Sequence, residues 1–298
     1  MLSFSRRHFL QTSAAAAATA WLAPRLFAAP PPIPRFPVGV CDWMILKRQR
    51  LGAFALTKEI GADGVEVDMG GLGQRPTFDN QLAKPEVRAQ FLAEADKLGL
   101  RICSLAMSGF YAQSFAERDG VGRMVQDCID TMVAMQVKTA FLPLGVQSDL
   151  VQHPHLRPAV VERLRDAGRR AADAGVVIGV ETALDARGEA ALLDDIGSPA
   201  IRSYFNFANP LQAGRDLHAE LRILGRERIC QIHASNQDRV WLERDPQIDL
   251  PAVKATLDAM GWQGWLVIER SRDATDARNV RGNFGANTRY LKRVFQGA

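Results

Sequence analysis

Residues 158–181, PAVVERLRDAGRRAADAGVVIGVE, contain a complete passage from helix to strand. Val160, Leu164, Ala167, Ala171 and Ala172 fall on one helical face, while Arg163, Arg165, Arg169 and Asp173 point elsewhere, so only one side of the segment needs burial. Gly175 stops the helix, because glycine takes the left-handed conformation of a helix C-terminus without a Cβ penalty. A short apolar run then ends abruptly on a carboxylate, Glu181.

The same unit recurs along the chain. Strand candidates are PVGVCDW, GVEVDM, RICSLAM, KTAFLPLG, VVIGVETA, IRSYFNFAN, RICQIHAS and GWLVIERS, eight in all. Between them lie helix candidates at 85–98, 122–135, 158–174, 217–224 and 250–260, several closed by Gly99, Gly175, Gly225 or Gly261. Eightfold strand-helix alternation predicts an α/β fold, a (β/α)8 TIM barrel rather than an open sheet. No glycine-rich phosphate loop follows a strand. Gly70-Gly71-Leu72-Gly73 precedes polar sequence and reads as a flexible loop.

Ser5-Arg6-Arg7-His8-Phe9-Leu10, followed by an alanine-rich apolar run, reads as a twin-arginine export signal over residues 1–29. Its apolar part is shorter than the roughly 20 residues a membrane-spanning helix needs. The expected destination is the periplasm, with no membrane attachment after cleavage; a retained N-terminal anchor is the alternative. Pro30, Pro31, Pro32 and Pro34 make residues 30–35 a stiff, extended linker before a single domain at 36–298. Removing the leader takes away Arg6, Arg7 and Arg25 and no acidic residue, which lowers the formal charge from +4 to +1. A near-neutral chain without a basic stripe argues against a nucleic-acid partner. Cys41, Cys103, Cys128 and Cys230 are widely spaced and include no C-x-x-C pair, so buried, unpaired thiols are expected rather than a thiolate metal site. One disulfide remains open in an oxidising compartment.

In a barrel of this kind the carboxyl ends of the strands share one face and carry the function. Those ends present Trp43, Glu66 with Asp68, Ser108, Glu181, Asn206, His233 and Glu269, while the fourth, at Pro143-Leu144-Gly145, is apolar. Carboxylate, amide and imidazole groups from four successive strands suit a moderately hard divalent ion such as Mn²⁺, Mg²⁺, Co²⁺ or Zn²⁺. Such an ion polarises a carbonyl while a glutamate moves a proton at the adjacent carbon.

These residues also carry a family resemblance. GADGVEV at 61–67, GVVIGVET at 175–182, DLPAVKATLDAMGWQGWLVIE at 249–269 and the strand-seven histidine make residues 36–296 resemble the sugar phosphate isomerase/epimerase family, the xylose isomerase-like barrels that include endonuclease IV. The resemblance implies Glu181, Asn206, His233 and Glu269 as metal ligands, with the two glutamates doubling as acid and base. The chain departs from the pattern at Asn206, where the family usually has aspartate, and at Ser235-Asn236, where it commonly has Lys-Asp. An amide oxygen brings no negative charge, so metal binding is weakened. Arg239 matches an arginine that ketose epimerases use on substrate, and Glu66 recurs in the family, with a supporting role beside the site as its duller reading. Trp43, Glu66, Asn209 and Arg239 are the substrate-side candidates. Phe110 and Trp241 join Trp43 as candidates for an apolar wall under a sugar ring.

Each assignment has a plainer competitor. Glu181 and Glu269 could pair with arginines such as Arg270 or Arg272, His233 could be a hydrogen-bonded core histidine, and Asn206 and Asn209 could merely close a turn. His153 and His155 are expected in solvent and His218 on a helix. The expectation is an exported sugar or keto-sugar isomerase or epimerase with a small carbohydrate substrate and a homodimer as the commonest assembly. A 3-keto-glycoside lyase or hydrolase and a non-catalytic sugar-binding barrel are the alternatives. Endonuclease activity is disfavoured, because one histidine of five ends a strand and multinuclear zinc needs several.

Overall fold

Eight short strands close on themselves in chain order. In the computed structural model, which describes residues 34–297, they are β1 (Val38–Cys41), β2 (Gly64–Asp68), β3 (Arg101–Ala106), β4 (Thr139–Pro143), β5 (Val177–Glu181), β6 (Ile201–Asn206), β7 (Ile229–His233) and β8 (Leu266–Ile268). Every neighbouring pair is parallel, and β8 pairs back onto β1 through Val38 and Leu266. The expected (β/α)8 barrel is therefore the observed one, and it occupies the compact unit that starts at Pro34. The leader and most of the Pro-rich linker lie outside the described residues.

The helices are α1 (Gly52–Ile60), α2 (Pro85–Leu98), α3 (Val121–Met135), α4 (Arg157–Asp173), α5 (Ala186–Ile196), α6 (Ala208–Gln212), α7 (Leu217–Arg228), α8 (Leu250–Ala259) and α9 (Val280–Gln296). Local chemistry sets their ends. Asp249 accepts a hydrogen bond from the Ala252 amide while Pro251 sits in the first turn, where its missing N–H costs nothing, so α8 starts where the DLP motif dictates. Gly225 is non-helical inside α7 (φ 73, ψ 166) and divides it at a kink, so the expected stop after Leu224 falls where the helix breaks. On α4, Val160, Leu164, Ala167 and Ala171 are buried as the spacing predicts. Ala172 is exposed instead, because it lies about 100° round the helix from Ala171, off the edge of the apolar stripe. The Gly70–Gly73 segment is a loop, pinned by Leu72, which is 2% exposed.

Strand periodicity of two decides what reaches the barrel axis. Tyr204 and Asn206 on β6, Gln231 and His233 on β7, and Gly179 and Glu181 on β5 each form an i, i+2 pair on one face of their strand. Gly179 is the small member of its layer for a steric reason. A Cβ there would lie 2.9 Å from Tyr204 Cβ and 2.6 Å from Cys230 Sγ, so any side chain would displace the tyrosine. All four cysteines are free, three of them buried.

Candidate active site

His233 stands at the centre of the polar groups inside the barrel and is fully buried. Its Nδ1 lies 3.1 Å from Glu181 Oε2 and 3.7 Å from Glu269 Oε2. One ligand-type atom from each of Glu181, His233 and Glu269 lies within 4.8 Å of the others. Asn206 completes the ring, donating from Nδ2 to Glu181 Oε2 at 3.0 Å and to Glu269 Oε2 at 3.3 Å, while its Oδ1 accepts from the Ala208 amide at 2.9 Å. Tyr111, on the 3-10 turn Ser108–Tyr111 beyond β3, donates its phenol to Glu269 Oε1 at 2.8 Å.

The other edge of the imidazole meets a second network. His233 Nε2 lies 3.1 Å from Glu66 Oε1. The other oxygen of Glu66 accepts from Ser104 Oγ at 2.5 Å and from the Tyr204 phenol, and Gln231 Nε2 donates to both hydroxyl oxygens, at 2.8 and 2.7 Å. Phe141 and Tyr204 flank the imidazole with ring centroids 4.6 and 4.5 Å away. Glu66 lies two residues before the end of β2, about 7 Å deeper than the strand terminus at 3.3 Å per residue. It is sealed at 0% exposure, so the structure places it beneath the site rather than against a substrate.

Burial alone would push the His233 imidazolium down, but Glu269, Glu181 and Glu66 together outweigh it and hold the group up at about 10. Burial also raises Glu269, with Glu181 adding repulsion and His233 and the Tyr111 phenol opposing the rise. The Tyr111 hydroxyl is pushed well up by burial and by the two glutamates. Two carboxylates held beside one imidazole are costly unless something cationic or protic joins them, which is the usual mark of a working site.

A cleft of about 390 Å³ opens over this ring, lined among others by Tyr111, Asn209, Gln212, Arg215, Gln237 and Arg270. Glu181, Asn206, Asn209 and Glu269 all line it. Asn209 is itself tied down, donating to Thr182 O at 3.0 Å. Arg272 is taken by Asp238 at 2.6 Å, so Glu269 does not pair with it. Other expected residues land elsewhere. Arg239 is exposed, outside the cleft lining, and its backbone bridges to Asp273. Trp43 is half-buried, stacked on Phe141 at 6.4 Å. Phe110 is core, packed edge-on against Phe78 and Phe115. Trp241 donates to Asn283 on α9. His153 and His155 are exposed, and His218 meets Thr256. Tyr111 has no counterpart among the expected residues. Its signal was its place just past β3, beside Phe110, and a single turn sends these neighbours to opposite sides.

The donor set of Glu181, His233 and Glu269 fits a divalent ion: two carboxylate oxygens and one imidazole nitrogen converge, with the second nitrogen of the ring oriented by Glu66. The Asn206 amide differs from the ligand role expected for it, because its oxygen is held by the Ala208 amide and its nitrogen faces the cluster. The sequence names the residue but not which end of the amide turns inward.

A family model described as xylose isomerase-like TIM barrel matches residues 54–294. The chain belongs to that family. Ahead of this xylose isomerase-like barrel, a model of the twin-arginine translocation signal matches residues 3–23, which indicates export. A curated relative, the 2-epi-5-epi-valiolone 7-phosphate 2-epimerase of Actinoplanes sp., is 27% identical over 193 residues, covering 62% of this chain and 68% of the relative. Among solved structures, D-psicose 3-epimerase from Clostridium cellulolyticum superposes with a TM-score of 0.70 at 12% identity, over 87% of this chain and 99% of the other. The 3-keto-D-glucoside 4-epimerase of E. coli does so with a TM-score of 0.66 at 16% identity, over 86% and 99%. These structural likenesses establish the fold. No helix among the described residues is long and apolar enough to cross a membrane.

Proposed function

We propose that the protein is an exported sugar or keto-sugar epimerase or isomerase that moves a proton at the carbon beside a carbonyl. In this reading a leader over residues 1–29 is removed, residues 30–35 form a linker, and the barrel from residue 36 works in the periplasm. The observation that carries it is the convergence of Glu181, His233 and Glu269 within 4.8 Å beside a cleft of about 390 Å³, a size within the range of small-molecule sites. The relative named as a 2-epimerase and structural neighbours named as 3- and 4-epimerases favour epimerisation over elimination.

Glu181, His233 and Glu269 would hold a divalent ion such as Mn²⁺, Mg²⁺, Co²⁺ or Zn²⁺, which when bound supplies Lewis-acid polarisation of the substrate carbonyl. The chain's own residues do the rest. One glutamate removes the proton from the adjacent carbon, the electron pair passes to the carbonyl oxygen, and the other glutamate returns a proton as the pair falls back. Each carboxylate has two oxygens, so binding and proton transfer need not compete for one atom. Tyr111 orients Glu269, Glu66 fixes the His233 ring, and the amides of Asn209, Gln212 and Gln237 line the space for sugar hydroxyls.

The test is solvent-deuterium incorporation into ketoses and 3-keto-glycosides with Mn²⁺ present. Exchange at the carbon beside the carbonyl is expected, falling about 10²–10⁴-fold in Glu269→Gln and in Glu181→Gln, the span of a lost acid or base. Sugar binding without exchange would overturn the proposal in favour of a binding protein, and release of a free leaving group would replace it with a lyase.

A further inference from the structure

We infer that Asn206 is a clamp on the two glutamates rather than a ligand, and that it sets a low affinity for the divalent ion. The inference rests on the three-donor site of the proposed function. Three distances carry it. The Asn206 Nδ2 group sits 3.0 Å from Glu181 Oε2 and 3.3 Å from Glu269 Oε2, the same two oxygens that face His233 Nδ1. The Oδ1 atom accepts from the Ala208 amide at 2.9 Å, at the point where β6 gives way to α6. Reversing the amide would bring an NH₂ group against that backbone N–H, two donors with nothing between them, so the orientation is fixed by the start of the helix.

The consequence follows from charge and from competition. An amide NH₂ directed at the oxygens that would bind a cation occupies their lone pairs, so an ion must displace two hydrogen bonds to bring both glutamates into its shell. The same group screens the repulsion between Glu181 and Glu269, which keeps them together without an ion. An aspartate at this position reverses both effects. Its fixed oxygen still accepts from Ala208, and its free oxygen adds a third negative donor where the NH₂ stood. Asparagine therefore favours a site that forms unaided and holds its ion loosely.

The test measures Mn²⁺ affinity by calorimetry on the full chain after chelator treatment, comparing the parent with Asn206→Asp and with Glu269→Gln. Asn206→Asp is expected to bind at least about tenfold more tightly, since charge count tunes such sites over decades. Equal or weaker binding in Asn206→Asp overturns the clamp, provided Glu269→Gln still lowers affinity. Absence of saturable binding in the parent and in Asn206→Asp alike, or binding that Glu269→Gln leaves untouched, overturns the three-donor site itself and the inference with it. A second measurement covers a variant that fails to fold. In the metal-free parent, the side-chain NH₂ protons of Asn206 are expected to exchange slowly with solvent and to shift on adding Mg²⁺; fast, unshifted protons overturn the clamp.

Discussion

The two edges of one imidazole differ in kind. Beneath His233, Glu66 is satisfied by Ser104, Tyr204 and the ring itself, with Gln231 bracing the hydroxyls, and the whole set is sealed from water. Above it, Glu181 and Glu269 lie close to each other, share one amide and one imidazole nitrogen, and line a cleft. The lower charge is matched by donors in a closed space, which makes a rigid floor. The upper charges are under-matched and reachable, which is the arrangement that can bind a cation or carry a proton. Burial of an acidic group is thus a poor guide to its role; the completeness of its donor set and access to a cleft separate floor from working surface.

The strongest way to break this contrast is at Glu66. Glu66→Ala would strand His233 Nε2, Ser104 and Tyr204 in a sealed space, and losing one partner of a buried charged network costs about 3–5 kcal/mol. A correspondingly lower denaturant midpoint is expected, whereas Glu66→Gln keeps an acceptor oxygen at nearly the same volume and should lose much less. If Glu66→Ala were as stable as the parent yet devoid of exchange activity, the floor would have to be counted as machinery.

Much of this arrangement is legible in the sequence. Repeated apolar runs closed by a polar residue fixed the barrel, and strand-end position alone brought Glu181, His233 and Glu269 to one mouth, because parallel strands end on the same face. Depth was legible in principle, since Glu66 precedes its strand end by two residues, but a depth says nothing of who the neighbours are. Asn206 shows a sharper limit, because the backbone amide that holds its oxygen becomes visible only when α6 starts directly after β6. Arg239 and Trp241 lie outside the cleft lining for a related reason: they sit in a long loop, where spacing from a strand end no longer fixes direction. Tyr111 was missed because a turn, not a strand, aims it.

Glu189 on α5 sharpens the contrast from the side, being sealed like the floor but incompletely satisfied. Thr182 donates to one oxygen at 2.7 Å, and the other has no partner. Burial, opposed by the nearby Ser203 and Thr182 hydroxyls and reinforced by repulsion from Glu181, raises this carboxyl to about 7. An acid whose folded pKa lies above its unfolded value favours the protonated folded state, so stability is greatest below about 4.5 and declines as pH rises to about 7. The shift corresponds to roughly 3 kcal/mol. Urea unfolding across that window should show the parent losing ground relative to Glu189→Gln, which carries no charge to bury. Parallel profiles for the two proteins would mean that the Glu189 site is wetter than its surroundings suggest.

The smallest effect is expected at Tyr111, and it tests the upper face directly. Tyr111→Phe removes the 2.8 Å donation to Glu269 Oε1 and leaves the ring in place at the edge of the cleft, where water can take over part of the lost bond. Stability should therefore change little. Activity should change more, because a hydrogen bond to a charged group contributes about 1.5–3 kcal/mol, and part of it is lost when the carboxylate must be both ionised and oriented. The phenol favours the charged form of Glu269 against burial, so its removal raises that carboxyl further. A proton-accepting Glu269 would then reach its active form only at higher pH. The expected signature is a roughly tenfold slower deuterium exchange, with the acidic limb of the rate profile displaced upward. An unchanged rate and profile in Tyr111→Phe would reduce Tyr111 to packing, whereas the displaced limb would tie the phenol to the charge state of the one glutamate it touches.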